Sequence, residues 1–415
     1  MHRPCCDIFK PMASVTFRQA RTLLAASKHA SITGAARAIN RSQTSVTKSL
    51  QDLERVLGVE LFNRTSKGIT PTAYGKTLVD GARNAREAIA AAGRMVTPIA
   101  LARSPSVKRF FELDISDKWV DALLAVAEHQ SFSGAAAELN VTTAAVSSNV
   151  RKLEDSLGMT LFTRLPNASV PTEFARELVR HIKLARNHLR HTCEELESLQ
   201  GKDFGRVVLG SLPFLRVRIL PRAIKLLQAE HPRIDIETVE GPHDEQIAGL
   251  RCGDLDFLIG DLQGASQSTD LIEEPLFDDE LSVVVRQGHP LQQATSLEWA
   301  TLLDYEWVIP RRRMPARDLI DQALADEALG LPRHVIETGS TVLLRGLLME
   351  SDHLAIISRR QVHLEVEHGL LAVLPFSLPG VRRQIGITTR QNSSMSPAAA
   401  VLLEKIRDVS AALEA

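Results

Sequence analysis

The chain repeats itself at an offset of 100 residues. When residues 31–72 are placed over residues 131–172 without a gap, 15 of the 42 positions are identical. The identities include Gly34-Ala35-Ala36, Leu57-Gly58 and Leu61-Phe62, each with its partner 100 residues later. An internal repeat restricts the fold, because both copies must form the same supersecondary unit. A duplication or fusion event explains the repeat better than chance.

Each copy predicts three short helices and a hairpin. We call residues 15–72 segment one and residues 117–172 segment two. The third helix of each has a buried apolar stripe at helical spacing, made of Val46, Leu50, Leu53 and Leu57, and again of Val146, Val150, Leu153 and Leu157. A short hairpin follows at Leu61-Phe62, and Pro71-Thr72 starts a long helix; both features recur in segment two.

Capping residues give the predicted helix ends. We expect the second helix to begin after Thr33 and Ser133, and the third after Ser42 and Thr142, because their hydroxyls can cap a helix N-terminus. A tight turn between the two passes through Asn40 and Asn140, and Gly58 and Gly158 end the third helix. Two short helices joined this way are typical of a helix-turn-helix, whose second helix enters the DNA major groove. For one isolated copy, a general helical hairpin is the alternative.

Segment one resembles the LysR-type transcriptional regulators. The resemblance rests on Ala35-Ala36, Ser42-Gln43, Val46, Leu53-Glu54, Leu57-Gly58, Leu61-Phe62, Arg64, Thr70-Pro71-Thr72 and Gly75. It implies a winged helix-turn-helix, a linker helix that pairs with a second subunit, and an effector domain, over residues 15–415. The family typically has one such DNA-binding domain, so the second copy is a departure, and the resemblance leaves open which copy reads DNA.

Local charge distinguishes the two segments. Residues 31–72 contain six basic and three acidic side chains, whereas residues 131–172 contain three of each. Because neutralising phosphates supplies the affinity for the DNA backbone, segment one is the better predicted binder. Its candidate DNA-binding residues are Arg41, Ser42, Gln43, Thr44, Ser45, Thr47, Lys48, Arg64 and Lys67.

The predicted recognition helices also differ in their polar groups. Gln43 can pair bidentately with adenine, whereas segment two has Thr143 there and Ala144-Ala145 next to it. Alanine can touch a thymine methyl but offers no side-chain hydrogen bond. Segment two is therefore either a second DNA contact or a structural and pairing module. As a second contact it would use Thr142, Thr143, Ser147, Ser148 and Arg151.

The helix after segment two has an apolar seam with a spacing of four and three residues. Its apolar members are Leu178, Ile182, Ala185, Leu189, Leu196 and Leu199, and Thr192 is its one polar site. Such a seam is typical of a coiled coil, so we expect this helix to hold a homodimer or homotetramer together. The alternative is an ordinary amphipathic helix packed on its own chain. The helix after segment one is rich in alanine and its seam is thin.

The C-terminal half predicts an α/β domain. Strands and helices alternate from Gly205 onwards, which favours a largely parallel sheet. Patterns over Gly253–Gly260 and Glu274–Leu291 resemble the LysR-type effector domain, which is similar to type 2 periplasmic binding proteins. The resemblance implies two lobes joined by crossover strands near 281–286 and 383–389. The full prediction is α/β plus α: a loose tail over 1–14, winged helix-turn-helix domains over 15–72 and 117–172, linkers over 73–116 (with an interdomain linker over 97–116) and 173–201, and an effector domain over 205–415, with lobe I at 205–282 and 390–415 and lobe II at 285–382.

The effector site is predicted in the cleft between the lobes. Ligands in such folds bind beyond the carboxyl ends of strands, and a helix start with free N–H groups suits an anion, so we expect a small organic acid or a related metabolite. The candidates are Ser211, Leu212, Pro213, Asp261, Pro310, Arg311, Gly339, Ser340 and Thr341. Plain helix capping is the alternative for Ser211 and Ser340, and a solvated surface run is the alternative for the arginines at 311–313.

Composition and missing motifs argue against other classes. No GxSxG, HExxH or P-loop occurs, so we expect no enzyme, and the four cysteines form no CxxC or Cys/His cluster, so we expect neither metal nor cofactor. No apolar run is long enough to span a membrane, and the first residues do not resemble a signal peptide, so we expect a cytoplasmic protein. The expected partners are double-stranded DNA, a small-molecule effector, further copies of the chain and RNA polymerase. The alternative is a DNA-architectural or assembly protein without an effector.

Overall fold

The computed structural model describes nine stretches of the chain: 15–66, 68–95, 115–166, 168–202, 205–262, 270–312, 314–378, 380–391 and 395–414. The predicted tail over 1–14 and most of the predicted interdomain linker lie outside them. The described chain forms two units. The N-terminal unit takes in residues up to 205 with 252–254 and 393–397, and the rest forms the C-terminal unit.

The N-terminal unit contains two sets of equivalent elements whose first residues lie 100 positions apart. Segment one and its linker form α1 (Phe17–His29), α2 (Ile32–Ala38), α3 (Gln43–Leu57), β1 (Phe62–Thr65), β2 (Gly68–Pro71) and α4 (Ala73–Met95). Segment two and its linker form α5 (Asp117–His129), α6 (Phe132–Glu138), α7 (Thr143–Leu157), β3 (Phe162–Leu165), β4 (Ala168–Pro171) and α8 (Glu173–Leu199). Both hairpins are antiparallel, and the apolar stripes of α3 and α7 are buried as predicted.

The predicted caps of α3 and α7 are present. The Ser42 hydroxyl accepts from the Ser45 N–H at 3.1 Å, and the Thr142 hydroxyl accepts from Ala145 at 3.2 Å. Gly58 and Gly158 end the helices at φ 70° and 66°, a left-handed backbone that glycine adopts without steric cost.

The predicted caps of α2 and α6 are wrong by two residues. Ser31 rather than Thr33 caps α2, and its hydroxyl accepts from the Gly34 N–H at 3.3 Å; Ser131 rather than Ser133 does the same for α6. The reason is conformational. A capping residue must be extended, as Ser31 is at φ −156°, whereas Thr33 already lies inside the first helical turn.

The apolar seam of α8 is covered by α4 of the same chain. The two helices pack along each other, and Leu178, Ile182, Ala185, Leu189 and Leu196 are buried in the single chain. Leu199 is the exception, 57% exposed. The prediction that this seam is free to join a second subunit is therefore wrong, because the alanine-rich face of α4 is narrow enough for close approach and already fills it.

The C-terminal unit alternates strands and helices as predicted. Its strands are β5 (Gly205–Ser211), β6 (Ile234–Val239), β7 (Phe257–Asp261), β8 (Leu271–Arg286), β9 (Trp307–Ile309), β10 (Val335–Glu337), β11 (Leu354–Ser358), β12 (Leu371–Val373) and β13 (Arg382–Arg390). Its helices are α9 (Ile219–Glu230), α10 (His243–Cys252), α11 (Trp299–Leu303), α12 (Pro315–Asp326), α13 (Thr341–Glu350), α14 (His363–Glu367) and α15 (Pro397–Glu414). The five-residue helices α11 and α14 were not predicted, since they are too short to show a helical period.

The sheet is mixed rather than largely parallel. Eight of its strands follow the order β10-β9-β11-β8-β13-β7-β5-β6, and β12 pairs with β8. β5 and β7 are parallel, as are β9 and its two neighbours, but β8 and β13 run antiparallel to every strand that they pair with. The physical reason is that these two strands are the crossovers: one leaves the first lobe and the other returns to it. β8 also begins at Leu271, ten residues earlier than the crossover was predicted.

Among the described residues, no helix combines the length and the apolar character that crossing a membrane requires.

Candidate functional site

The first candidate surface is the outward face of α3. Gln43, Thr44 and Lys48 are exposed, whereas Ser45 and Thr47 are half-buried. Thr44 and Lys48 lie on the side of the helix opposite the buried stripe. Gln43 is the first residue of the helix and is exposed at its start, nearer to the stripe. Ser42 is exposed as well, but its hydroxyl already accepts the capping hydrogen bond.

The hairpin of segment one is fixed to the end of α3. A carboxylate oxygen of Glu54 accepts from the Leu61 N–H at 3.0 Å, and the Thr72 hydroxyl donates to the Glu60 carbonyl at 2.7 Å. Arg64 projects from the hairpin, half exposed, and its guanidinium lies 3.8 Å from the Glu54 carboxylate. Arg41 is half-buried before α3, and Lys67 lies outside the described residues. The basic side chain at the wing is therefore held at a set distance from the recognition helix.

The equivalent face of α7 is exposed but less polar. Thr143, Ser148 and Arg151 are exposed and Ser147 is half-buried, while Thr142 is engaged as the helix cap. Ala144 is also exposed, so a methyl group stands where α3 has the Thr44 hydroxyl. In the hairpin, Arg164 lies over the Phe132 ring at 5.3 Å, an attractive contact that ties its charge to the ring.

The second candidate site is a pocket in the C-terminal unit. Its empty volume, open mouth included, is about 610 Å³. Seven of the nine predicted effector residues line it: Leu212, Pro213, Asp261, Pro310, Gly339, Ser340 and Thr341. The lining comes from both predicted lobes, because strand ends β5 and β7 and the start of α13 all face it.

Two predicted residues do not line the pocket. Ser211 is buried, and its side chain and carbonyl both accept from the Arg216 guanidinium, at 3.0 and 2.5 Å. Arg216 in turn pairs with Glu240 at 2.6 Å. Arg311 is exposed and stands outside the lining. Arg313, the end of the same basic run, lies outside the described residues.

A largely buried arginine links two carboxylates beside the pocket. Arg383, at the start of β13, donates to Asp279 at 2.8–2.9 Å and lies 3.2 Å from Asp261. Asp279 also accepts from the Ser358 hydroxyl at 2.7 Å, so its charge is fully compensated. Both carboxylates are buried, and such charges are stable only when paired. The arginine therefore joins both crossover strands, β8 and β13, to the end of β7.

Asp261 is the less well satisfied of the two carboxylates. It is 4% exposed and lines the pocket. Neither of its oxygens receives a well-directed hydrogen bond from any residue in the described part of the chain. Burial raises the pKa of this carboxyl, and the Arg383 charge opposes the rise. A hydrogen-bond donor entering the pocket would satisfy it.

The start of α13 offers donors to the same pocket. The Ser340 hydroxyl accepts from the Leu343 N–H at 3.3 Å, and the Ser340 N–H donates to the Thr338 hydroxyl at 3.0 Å. Within the described residues, the N–H groups of Thr341 and Val342 have no such acceptor. Unpaired N–H groups at a helix start, together with the helix dipole, favour an anion.

Sequence reasoning missed several residues that the fold brings to the pocket. Among them are Met314, Thr338, Ser358, Gln361 and Arg383. Arg383 carried one usable signal, its place at the start of a predicted crossover strand, since both crossovers must pass the cleft. Ser358 ends β11 and Thr338 directly follows β10, so their positions at the carboxyl ends of strands were a second usable signal. Met314 and Gln361 lie on short connections whose direction the sequence pattern does not reveal.

Comparisons with known proteins cover nearly the whole chain. The family model of the LysR substrate binding domain matches residues 200–411. The model of the bacterial regulatory helix-turn-helix protein, lysR family, matches residues 17–76 and 118–176. The chain is 33% identical over 391 residues to the HTH-type transcriptional regulator GalR of Pseudomonas putida, covering 94% of this chain and 96% of that protein. It is 29% identical over 300 residues to the regulator PcaQ of Agrobacterium fabrum, covering 72% and 96%.

Solved structures have the same fold. Full-length OxyR of Pseudomonas aeruginosa aligns with a TM-score of 0.51 at 23% identity, covering 72% of this chain and 95% of OxyR. CbnR, a LysR family transcriptional regulator, aligns with a TM-score of 0.50 at 18% identity, covering 71% and 99%. The fold and these comparisons indicate the same family. The chain has its helix-turn-helix segments and its two-lobed α/β unit, and it belongs to the LysR family of transcriptional regulators, which bind DNA and respond to a small-molecule effector.

Proposed function

We propose that segment one leads DNA recognition in this regulator. The observation that carries the proposal is that α3 exposes Gln43 and Lys48, while Arg64 is exposed on a wing whose backbone is hydrogen-bonded to the same helix. A glutamine can read adenine, and a lysine can neutralise a phosphate. The excess of basic residues in segment one supports the same assignment.

We further propose that the two segments arose by tandem duplication. Their elements begin at positions 100 apart, and one family model matches both. The alignment with GalR is 91 residues longer than that with PcaQ, although each takes in 96% of the relative. A difference of this size supports a layout in which GalR, but not PcaQ, has a counterpart of the extra segment.

The pocket supports a specific effector chemistry. A carboxylate would be held by the free N–H groups at the start of α13, opposite Asp261. Asp261 lacks a directed hydrogen bond within the described residues, so the same ligand should carry a hydroxyl or amino donor for it. The effector class is therefore a small organic acid that also bears a hydrogen-bond donor.

Effector binding would act through the crossover strands. Arg383 ties Asp261 to Asp279, so a ligand contact at Asp261 reaches both β8 and β13. A ligand that binds one lobe arrangement more tightly shifts the population towards it, and this shift is what the DNA-binding unit would sense. The role implies a cytoplasmic protein that acts on promoter DNA with RNA polymerase. A homodimer or homotetramer stays a prediction, and it would need a surface other than the covered seam of α8.

The test is a footprint of the full-length protein on a duplex that it selects from a randomised pool, with and without a panel of hydroxy and amino acids. We expect a sequence-specific footprint whose strength or length changes with one member of the panel. A footprint that no panel member alters would instead favour the alternative, an architectural protein without an effector. Failure to select any sequence would contradict the proposed function.

A further inference from the structure

The two linker helices pair closely and antiparallel within one chain. Gln200, directly after α8, donates to the Leu57 carbonyl at 3.4 Å and lines a hollow with Tyr74 at the start of α4. Further along, Gly81 of α4 faces Thr192 of α8: a Cβ at Gly81 would lie 2.0 Å from the Thr192 hydroxyl oxygen. The end of one helix thus lies beside the start of the other.

The same pairing has approximate twofold symmetry. Under the repeat, Gly81 of α4 corresponds to His181 of α8, and Thr192 of α8 corresponds to Ala92 of α4. Exchanging the two segments therefore turns the pair Gly81–Thr192 into the pair His181–Ala92, and His181 and Ala92 are buried too. In a twofold interface residue i meets residue j wherever j meets i, so this agreement is expected.

A second contact places the axis. The backbone N–H of Phe17 donates to the carboxylate of Asp117, and these two residues are equivalent under the repeat. Equivalent residues can meet only next to a twofold axis. The axis therefore passes between the first residues of α1 and α5, and the two helix-turn-helix segments are arranged around it.

From this geometry we infer that the two helix-turn-helix segments of one chain form a pseudo-twofold pair. We call each segment a reading head, and the two heads of one chain bind two adjacent half-sites of different sequence. The inference rests on the proposed DNA-reading function. Helix-turn-helix pairs related by a twofold axis present their recognition helices to half-sites about one helical turn apart. Here α3 and α7 are both exposed but differ in side chains, Gln43-Thr44 against Thr143-Ala144. The half-sites must then differ, and the target is not a palindrome.

Matched substitutions test each head separately. Thr44→Glu and Ala144→Glu place a carboxylate at equivalent exposed positions in the first turns of α3 and α7. A carboxylate there suits the helix dipole, so folding should be unharmed, while repulsion from phosphate weakens DNA binding. The neutral controls are Thr44→Gln and Ala144→Gln, and thermal melting checks each variant.

The probe is a duplex that the full-length wild-type chain selects from a randomised pool. We expect each Glu variant to bind it at least about tenfold more weakly, and each to lose hydroxyl-radical protection over a different half of the site. The Gln controls should lose less. A wild-type affinity and footprint for Ala144→Glu would overturn the inference, leaving segment two as a structural module and the proposed function intact.

Mixing the two Glu variants tests whether the heads act in cis. If both heads of a reading unit belong to one chain, every unit in the mixture has one damaged head, and the mixture should bind no better than the better variant alone. Recovery of strong binding and of the full footprint would show that the heads come from different chains and would overturn the inference. If the wild-type chain selects no duplex at all, the proposed DNA-reading function fails first, and the inference with it.

Discussion

Substituting Gly81 by alanine probes the contact between α4 and α8. The added methyl would lie 2.0 Å from the hydroxyl oxygen of Thr192, and 2.7 and 2.8 Å from its Cβ and Cγ2 atoms. Carbon atoms in contact normally stand about 3.5–4.0 Å apart, so the overlap is about 1 Å. Thr192 cannot rotate away cheaply, because it is buried and its hydroxyl donates to the His188 carbonyl at 2.8 Å. The helices must therefore separate.

The magnitude follows from two opposing terms. Overpacking a filled interface costs about 1–3 kcal/mol, and this overlap belongs at the upper end. Alanine gains about 1 kcal/mol over glycine in helix propensity. The expected net loss is about 2 kcal/mol, which corresponds to roughly 30-fold faster amide exchange in peptides from α4 and α8. Hydrogen exchange is the suitable assay because a chain of two units need not unfold in one step.

Two variants control the experiment. Gly346→Ala lies in helix α13, where the added methyl meets nothing within 4 Å, so it should stabilise the C-terminal unit by about 0.5–1 kcal/mol. Thr192→Gly in the Gly81→Ala background removes all three overlapping atoms and should recover protection, giving a favourable coupling between the sites. If Gly81→Ala instead raises protection as Gly346→Ala does, α4 and α8 are not in contact and the pairing is wrong.

Three further outcomes are expected. The double variant Gln43→Ala, Lys48→Ala should abolish specific binding to the selected duplex in a mobility-shift titration, because each bidentate base contact is worth about 1–3 kcal/mol. Thr143→Ala should change the affinity little. A larger loss of affinity for Thr143→Ala than for the double variant would contradict the leading role of segment one. Asp261→Asn should weaken binding of the panel acid that alters the footprint by about tenfold in calorimetry, since the amide accepts less strongly than a carboxylate and its NH₂ meets the ligand's donor; unchanged affinity would remove Asp261 from the site. Arg383→Met should lower the stability of the C-terminal unit by about 3 kcal/mol, the lower end for breaking a buried pair, because Asp279 keeps only the Ser358 hydrogen bond and Arg360 at 3.8 Å; a melting curve like that of the wild type would refute the network.

Much of the fold was predictable because the same signals occur twice. Ser42 and Thr142 cap their helices, and Gly58 and Gly158 end them, as predicted from the sequence. Each feature is local: a few neighbouring residues determine the backbone. The caps of α2 and α6 were misplaced because serine or threonine stands at both candidate positions, and only the extended backbone at Ser31 distinguishes them.

Long-range partners were not predictable in the same way. The seam of α8 has the pattern of a coiled coil, but a pattern gives the face that must be buried and not which chain covers it. Similarly, Asp261 was predicted from its position after a strand, whereas the arginine that reaches it, Arg383, lies 122 positions later in the chain. Ser211 has the same kind of position and proved to be engaged by Arg216 instead.

The most direct test of the central claim is a hydroxyl-radical footprint of the full-length chain on its selected duplex. A paired two-headed regulator should protect two successive major grooves, about 10 base pairs apart, and the two protected sequences should differ. Protection of a single groove per bound chain, or of two halves with the same inverted sequence, would contradict the account.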